Sequence, residues 1–150
     1  MIYNKIRKYA FLSLFVIGAA FISAEAKAAD VVIIANPSVG ISSITSAEAK
    51  KVFLGKGKEV SGNKVKVAGL SKGGAYDMFL AKVLNMTDSD VEKYWVQESL
   101  KGGAKKIKSL KSTKSLISYV SKKKGYIGYI SSDDVDAAKA KGLKVINITY

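Results

Sequence analysis

The alternation of strand-like and helical segments is the feature that most constrains how this chain can fold. Val31–Ala35 is a short, fully apolar, β-branched run, which predicts a strand buried on both faces, as in a parallel sheet. Further strands are predicted at 65–70, 126–130 and 143–148. Helical patterns lie between them, in the order β-α-β-α-α-α-β-α-β. This order predicts one α/β domain with a mainly parallel sheet flanked by helices.

The predicted helices have clear start and stop signals. Thr45 and Glu48 have the spacing of a capping box, and Gly55 suits the helix end. The third helix is predicted to start at Thr87 or Asp88, in a first turn rich in acids that oppose the helix dipole. A fourth helix is predicted at 112–124, and a short fifth one runs through 138.

The first 28 residues have the pattern of a targeting segment. Lys5, Arg7 and Lys8 precede an apolar run at 11–22, and Ala26-Lys27-Ala28 offers small residues for cleavage. The alternative is a membrane anchor, but the run is shorter than the roughly 20 residues that a spanning helix needs. We therefore predict a signal peptide at 1–28, no membrane anchor after cleavage, and a periplasmic domain at 29–150.

Composition narrows the chemistry that the chain can perform. The sequence has no Cys and no His, which excludes disulfides, thiolate or imidazole metal sites and a Ser-His-Asp triad. It also shows no carboxylate pair and no activated nucleophile. We predict a protein that is not an enzyme, without a metal or other cofactor, and stabilised by a packed core.

Three loops are candidates for a ligand site, because ligands of open α/β sheets bind outside the carboxyl ends of the strands. They are Asn36-Pro37-Ser38, the Ser71–Ala75 turn and Ser131-Ser132. The middle loop has the richest chemistry for binding an oxyanion. The alternative interpretation of this turn is an ordinary capped connection between a strand and a helix.

The chemistry of the Ser71–Ala75 turn favours an oxyanion. Gly73 and Gly74 let the backbone approach a ligand closely, and the following helix would offer unpaired N–H groups and a partial positive charge. Lys72 adds a full charge and Ser71 a hydroxyl. The predicted ligand is therefore phosphate or another small oxyanion, held by the N–H groups of Gly73, Gly74 and Ala75.

An ordered set of short motifs runs along most of the chain. In chain order they are Asn36-Pro37, Ile44-Thr45, Val52-Phe53-Leu54-Gly55-Lys56, residues 71–79, Tyr94-Trp95 with Gly102, and Val120 with Gly125-Tyr126-Ile127-Gly128-Tyr129-Ile130. The set resembles the phosphate-type substrate-binding proteins of ABC transporters. The resemblance implies one lobe of a type 2 periplasmic-binding-protein fold, with the family's anion loop at the Ser71–Ala75 turn and a link to phosphate uptake.

The chain departs from the family's pattern in two respects. Full-length members have two lobes that close on the ligand, whereas residues 29–150 have room for about one. Gly73 and Ala75 stand where the family has Ser and Thr, and Gly69 stands where larger members often carry Arg. Binding would then depend on backbone amides, with help from Ser71 and Lys72, and a homodimer or a transporter component would supply the missing contacts.

A lysine-rich segment supports a second hypothesis of a different class. Between Ser99 and Ser132 there are nine Lys and no acid. This segment predicts either a solvated surface or a contact face for an anionic partner. In the second hypothesis, residues 101–124 form the contact face of an interaction module in a cell-envelope complex. A nucleic-acid partner is not expected, and a hydrolase using Asp and Lys is the weakest alternative.

Overall fold

The structure is a computed structural model that describes residues 28–150. The predicted signal peptide lies outside these residues, apart from Ala28, and stays a prediction. Within 28–150 no helix combines the length and the apolar character needed to cross a bilayer.

Short strands and helices alternate along the described chain. The strands are β1 (Val31–Ala35), β2 (Ile44–Thr45), β3 (Glu59–Val60), β4 (Asn63–Lys64), β5 (Lys66–Leu70), β6 (Lys108–Leu110), β7 (Tyr126–Ser131) and β8 (Lys144–Thr149). The helices are α1 (Ser46–Phe53), α2 (Gly74–Phe79), α3 (Asp88–Leu100), α4 (Thr113–Lys122) and α5 (Val135–Ala140). A π-helical turn, Leu80–Leu84, continues α2, and a 3₁₀ turn, Ser132–Asp134, precedes α5.

One mixed sheet organises the fold, with strand order β2-β8-β1-β7-β5-β6. The pairings β2–β8, β5–β7 and β5–β6 are parallel, so the sheet is mainly parallel, as predicted. β1 is the exception, because it runs antiparallel to both of its neighbours, β7 and β8. Every residue of β1 is buried, as the sequence predicts, but its direction is opposite to that of β5 and β7.

The direction of β1 decides which loops can meet. In the pairing of β1 with β7, Val31 lies opposite Ser131 and Ala35 lies opposite Ile127. The carboxyl end of β1 therefore lies beside the start of β7. The carboxyl ends of β5 and β7 are at the other edge of the sheet, which we call the site edge.

Four of the strands were not predicted. β2, β3 and β4 have two residues each and are too short for a periodic pattern. β6 is Lys-Ser-Leu and forms the edge strand beside β5.

The helix starts are confirmed at Thr45 and Thr87, where a capping box is complete, and the fourth helix begins after Ser112.

The core lies on both faces of the sheet. On one face, Gly128 of β7 lies against Leu116 of α4, where an added Cβ would be 3.2 Å from a Leu116 methyl. On the other face, Tyr129 of β7 stacks on Phe79 of α2 and meets Phe53 of α1 edge to face. The sheet is thus held between layers of helices, which positions the loops at its two edges.

Candidate anion-binding turn

The Ser71–Ala75 turn connects the carboxyl end of β5 to the start of α2 at the site edge. Residues 71–74 are exposed and Ala75 is buried. Ser71 is tied to β6, because its N–H donates to the Leu110 carbonyl at 3.0 Å and its hydroxyl reaches the same oxygen at 3.4 Å. The turn is thus anchored at its first residue and open to solvent at the next three.

Gly73 gives the turn its shape. Its backbone φ of 100° lies in a region that residues other than glycine rarely adopt. Gly73 is also the N-cap of α2. The α2 start has no side-chain cap, and an added Cβ at Gly73 or Gly74 would meet nothing within 4 Å. The backbone at the start of α2 is therefore uncovered by protein side chains and accessible to a small ligand.

Charges of both signs surround the turn. Lys72 is exposed and takes part in no ion pair, since Lys82–Asp30 at 3.0 Å is the one pair found within 28–150. Asp77 lies in the first turn of α2, where its negative charge interacts favourably with the helix dipole. Asp77 therefore competes with an incoming anion, whereas Lys72 attracts it.

Tyr129 fixes the strand end from which the turn departs. Its hydroxyl accepts from the Leu70 N–H at 3.0 Å and donates to the Leu70 carbonyl at 3.1 Å. The ring stacks on Phe79 with centroids 3.9 Å apart. Burial raises the pKa of Tyr129, so the hydroxyl stays protonated and able to donate. The strand position of Tyr126 and Tyr129 predicts packing, with the alternative that one of the two hydroxyls reaches the carboxyl edge of the sheet; the Tyr129 hydroxyl does so at Leu70.

Asn36 and Ser38, predicted as ligand-site residues because their loop follows a strand, lie away from the Ser71–Ala75 turn. Asn36 is buried, and its side-chain amide donates to the Val120 carbonyl at 2.9 Å. Its side-chain oxygen accepts from the Ser38 N–H, and the Ser38 hydroxyl accepts from the Gly125 N–H at 2.8 Å. Because β1 is antiparallel to β7, both residues lie at the edge opposite to the site edge, where they join β1 to the end of α4.

Ser131 does lie at the site edge, at the end of β7. It is buried, and its hydroxyl accepts from the Asp133 N–H at 3.3 Å, which caps the 3₁₀ turn. The structure therefore places Ser131 at the same edge as the Ser71–Ala75 turn, with its hydroxyl engaged in a local cap.

The surroundings of Gly69 explain why this one position of β5 carries no side chain. An added Cβ there would lie 3.0 Å from a ring carbon of Tyr129 and 3.3 Å from a methyl carbon of Ile107. A cationic side chain at this position would displace the tyrosine that holds Leu70.

Beside the turn, a crevice of about 260 Å³ between α2 and α3 includes Ser71, Tyr76 and Lys106 in its lining.

Comparison with known proteins shows a fold and no close relative. No protein-family profile and no curated protein matches the sequence. PstS from Borrelia burgdorferi has a similar structure, with a TM-score of 0.61 and 21% identity over 81% of this chain and 49% of that one. An ABC-type phosphate transport receptor from Vibrio cholerae gives a TM-score of 0.55 and 17% identity, over 80% of this chain and 46% of that one.

A third solved structure was determined with phosphate bound. It is assigned as a phosphate ABC transporter substrate-binding protein from Clostridium perfringens, with a TM-score of 0.54 and 15% identity over 80% of this chain and 45% of that one. This chain thus spans about half the length of the solved proteins it resembles. At such identities the likeness shows the fold, and it confirms the predicted single lobe of a periplasmic-binding-protein fold.

Proposed function

We propose that this protein is a solute-binding-like lobe that binds a small oxyanion, phosphate first among them, at the Ser71–Ala75 turn. The observation that carries the proposal is the uncapped, exposed start of α2 in a fold shared with phosphate-binding proteins. The proposal includes a periplasmic location and a place in phosphate uptake. Both rest on the likeness in fold and on the predicted signal peptide.

The proposed mechanism is capture by hydrogen bonds and charge, without covalent chemistry. The N–H groups of Gly73, Gly74 and Ala75 would donate to the oxyanion, and Lys72 would supply the opposite charge. Hydrogen bonds to a charged group contribute roughly 1.5–3 kcal/mol each. The helical chain continues from α2 through Leu84, so the dipole behind these donors is longer than α2 alone.

The ligand would be held from one side by this lobe. Because the chain spans about half the length of the solved proteins, a second surface is needed to enclose the anion. A second copy of the chain or a transporter component could supply it. Binding by the isolated lobe is then expected to be weak, with a dissociation constant in the upper micromolar to millimolar range, roughly −4 to −6 kcal/mol.

Isothermal titration with phosphate and sulfate at low salt tests the proposal directly. Gly74→Pro removes one amide donor at the first position of α2, where proline is tolerated. Thr113→Pro makes the same change at the first position of α4 and serves as the matched control. We expect Gly74→Pro to weaken phosphate binding at least fivefold and Thr113→Pro to leave it unchanged. The absence of heat and of a thermal shift at millimolar anion would refute the proposal.

A further inference from the structure

Three lysines gather around a pair of tyrosines on the α4 side of the sheet. The rings of Tyr119 and Tyr126 meet edge to face, with centroids 5.1 Å apart. The ammonium of Lys66 lies 5.9 Å from the Tyr126 centroid. Those of Lys108 and Lys123 lie 5.9 Å and 5.8 Å from the Tyr119 centroid. We call these five residues the Lys–Tyr cluster.

Two residues of the Lys–Tyr cluster lie at the ends of β5 and β7 that are opposite to the Ser71–Ala75 turn, and Lys108 lies beside Ala68 in the middle of β5. Lys66 and Tyr126 are paired residues at the amino ends of the parallel strands β5 and β7. Lys123 is the C-cap of α4, and Lys108 is the first residue of the edge strand β6. The three lysines come from three different elements, and their side chains are exposed while the tyrosines are half-buried.

The positive charge of the cluster is not balanced within the described residues. None of its lysines forms an ion pair there, and the sequence from Ser99 to Ser132 contains no acid. The end of α4 accounts for a cation at Lys123, because the helix dipole favours positive charge there. It does not account for Lys66 and Lys108, which the strands bring to the same two rings. Convergent like charges of this kind attract a counter-ion with several negative charges.

We propose that the Lys–Tyr cluster binds a soluble polyanion with closely spaced phosphate groups, such as an inorganic polyphosphate chain. Lysine binds phosphate as a point charge, and three ammonium groups around two adjoining rings suit neighbouring phosphates. Each ring has at least one lysine ammonium within 6 Å of its centroid, which disfavours the stacking of a nucleic-acid base on these rings.

An anionic membrane is the less suitable partner for this cluster. The large apolar side chains exposed in the described chain are Val96, Leu100 and Tyr150, and none belongs to the cluster or its strands β5, β6 and β7. The surface therefore offers no apolar group that would enter a bilayer beside the lysines. A compact polyanion can contact the three grouped ammonium groups together, whereas binding to a flat membrane surface does not require the lysines to be grouped.

Binding of fluorescently labelled polyphosphate, followed by anisotropy at 50 mM and 200 mM salt, tests the proposal. The variant Lys66→Gln/Lys108→Gln/Lys123→Gln removes the cluster's charges. The control Lys50→Gln/Lys93→Gln/Lys139→Gln removes three exposed charges from α1, α3 and α5 and has the same net charge. We expect the cluster variant to lose at least tenfold in affinity at 50 mM salt and the control less than threefold. We also expect the salt slope to fall by roughly two in the cluster variant alone, since each lost phosphate contact removes about 0.7–0.9.

Four outcomes would overturn the proposal. They are absence of polyphosphate binding, equal losses in the two triple variants, tighter binding to a single-stranded oligonucleotide of equal charge, and tighter binding to phosphatidylglycerol vesicles. Circular dichroism of both variants verifies that they fold. Gly74→Pro is expected to leave polyphosphate binding unchanged, which separates the cluster from the turn proposed to bind a single anion.

Discussion

Replacing Tyr129 with Phe isolates the two hydrogen bonds that hold the end of β5. The change removes one oxygen and keeps the ring that stacks on Phe79. Ser71 donates its N–H to β6, and successive residues of a strand direct their amides to opposite sides, so the Leu70 amide points toward β7. There the Tyr129 hydroxyl bonds both Leu70 backbone groups in a buried site.

The expected cost follows from leaving those two groups without a partner. A buried backbone group that loses its hydrogen bond costs roughly 1–3 kcal/mol, and a carbonyl tolerates the loss better than an N–H. We therefore expect Tyr129→Phe to lower the free energy of unfolding by about 2–4 kcal/mol. For a domain of this size that corresponds to a fall in Tm of roughly 8–20 °C.

Urea unfolding, followed by the fluorescence of Trp95, measures the effect. Trp95 is the single Trp of the sequence and is 8% exposed, so its emission reports on the packed state. Tyr150→Phe is the matched control, because Tyr150 is 64% exposed. The control should change stability by less than about 0.5 kcal/mol. A loss that small in Tyr129→Phe would refute the reasoning, since it would mean that Leu70 finds other partners.

Three further predictions concern the site and its supports. Gly69→Ala should destabilise the fold by about 1–3 kcal/mol in urea unfolding, because the new methyl would press on the Tyr129 ring, and an unchanged midpoint would contradict the close approach. Asp77→Asn should raise phosphate affinity roughly two- to fivefold in titration calorimetry, because the first turn of α2 loses a competing charge, and weaker binding would count against a site at this helix start. Thr45→Ala should cost about 1 kcal/mol at pH 7 through the lost cap. Hydrogen bonding from the Thr45 N–H lowers the pKa of Glu48 below 4.5, so the stabilisation from this carboxylate is present above that pH and lost as pH falls through the lowered value. Thr45→Ala keeps the backbone N–H but loses the hydroxyl that also donates to the Glu48 carboxylate at 3.1 Å. The stabilities of Thr45→Ala and the parent chain should therefore differ less at pH 3 than at pH 7, and a constant difference would argue against the capping box.

Local signals in the sequence were sufficient to predict the helices. Thr45, Thr87 and Ser112 mark helix starts because a side-chain oxygen there accepts from the backbone of its own first turn. Such caps involve neighbours in sequence and leave a readable pattern. The Ser71–Ala75 turn was predicted on the same basis, since glycines and a strand-to-helix junction are local features.

The direction of β1 and the bonds of Tyr129 could not be predicted in this way. An apolar run such as Val31–Ala35 fits a buried strand in either direction, because burial on both faces depends on composition alone. Asn36 and Ser38 were assigned to the wrong edge for this reason. The bond from Tyr129 to Leu70 joins residues 59 positions apart and depends on where β5 and β7 separate.

The position of β1 in the middle of the sheet has a consequence for how the protein acquires its structure. β1 comes first among the described strands, yet both of its partners, β7 and β8, lie more than ninety positions later in the chain. During synthesis β1 cannot pair with both of its neighbours until β8 has left the ribosome. Contacts of such long range slow folding. We therefore expect the emerging chain to remain without its final tertiary structure until β8 has left the ribosome, and to depend meanwhile on whatever shields Val31–Ala35 from other chains.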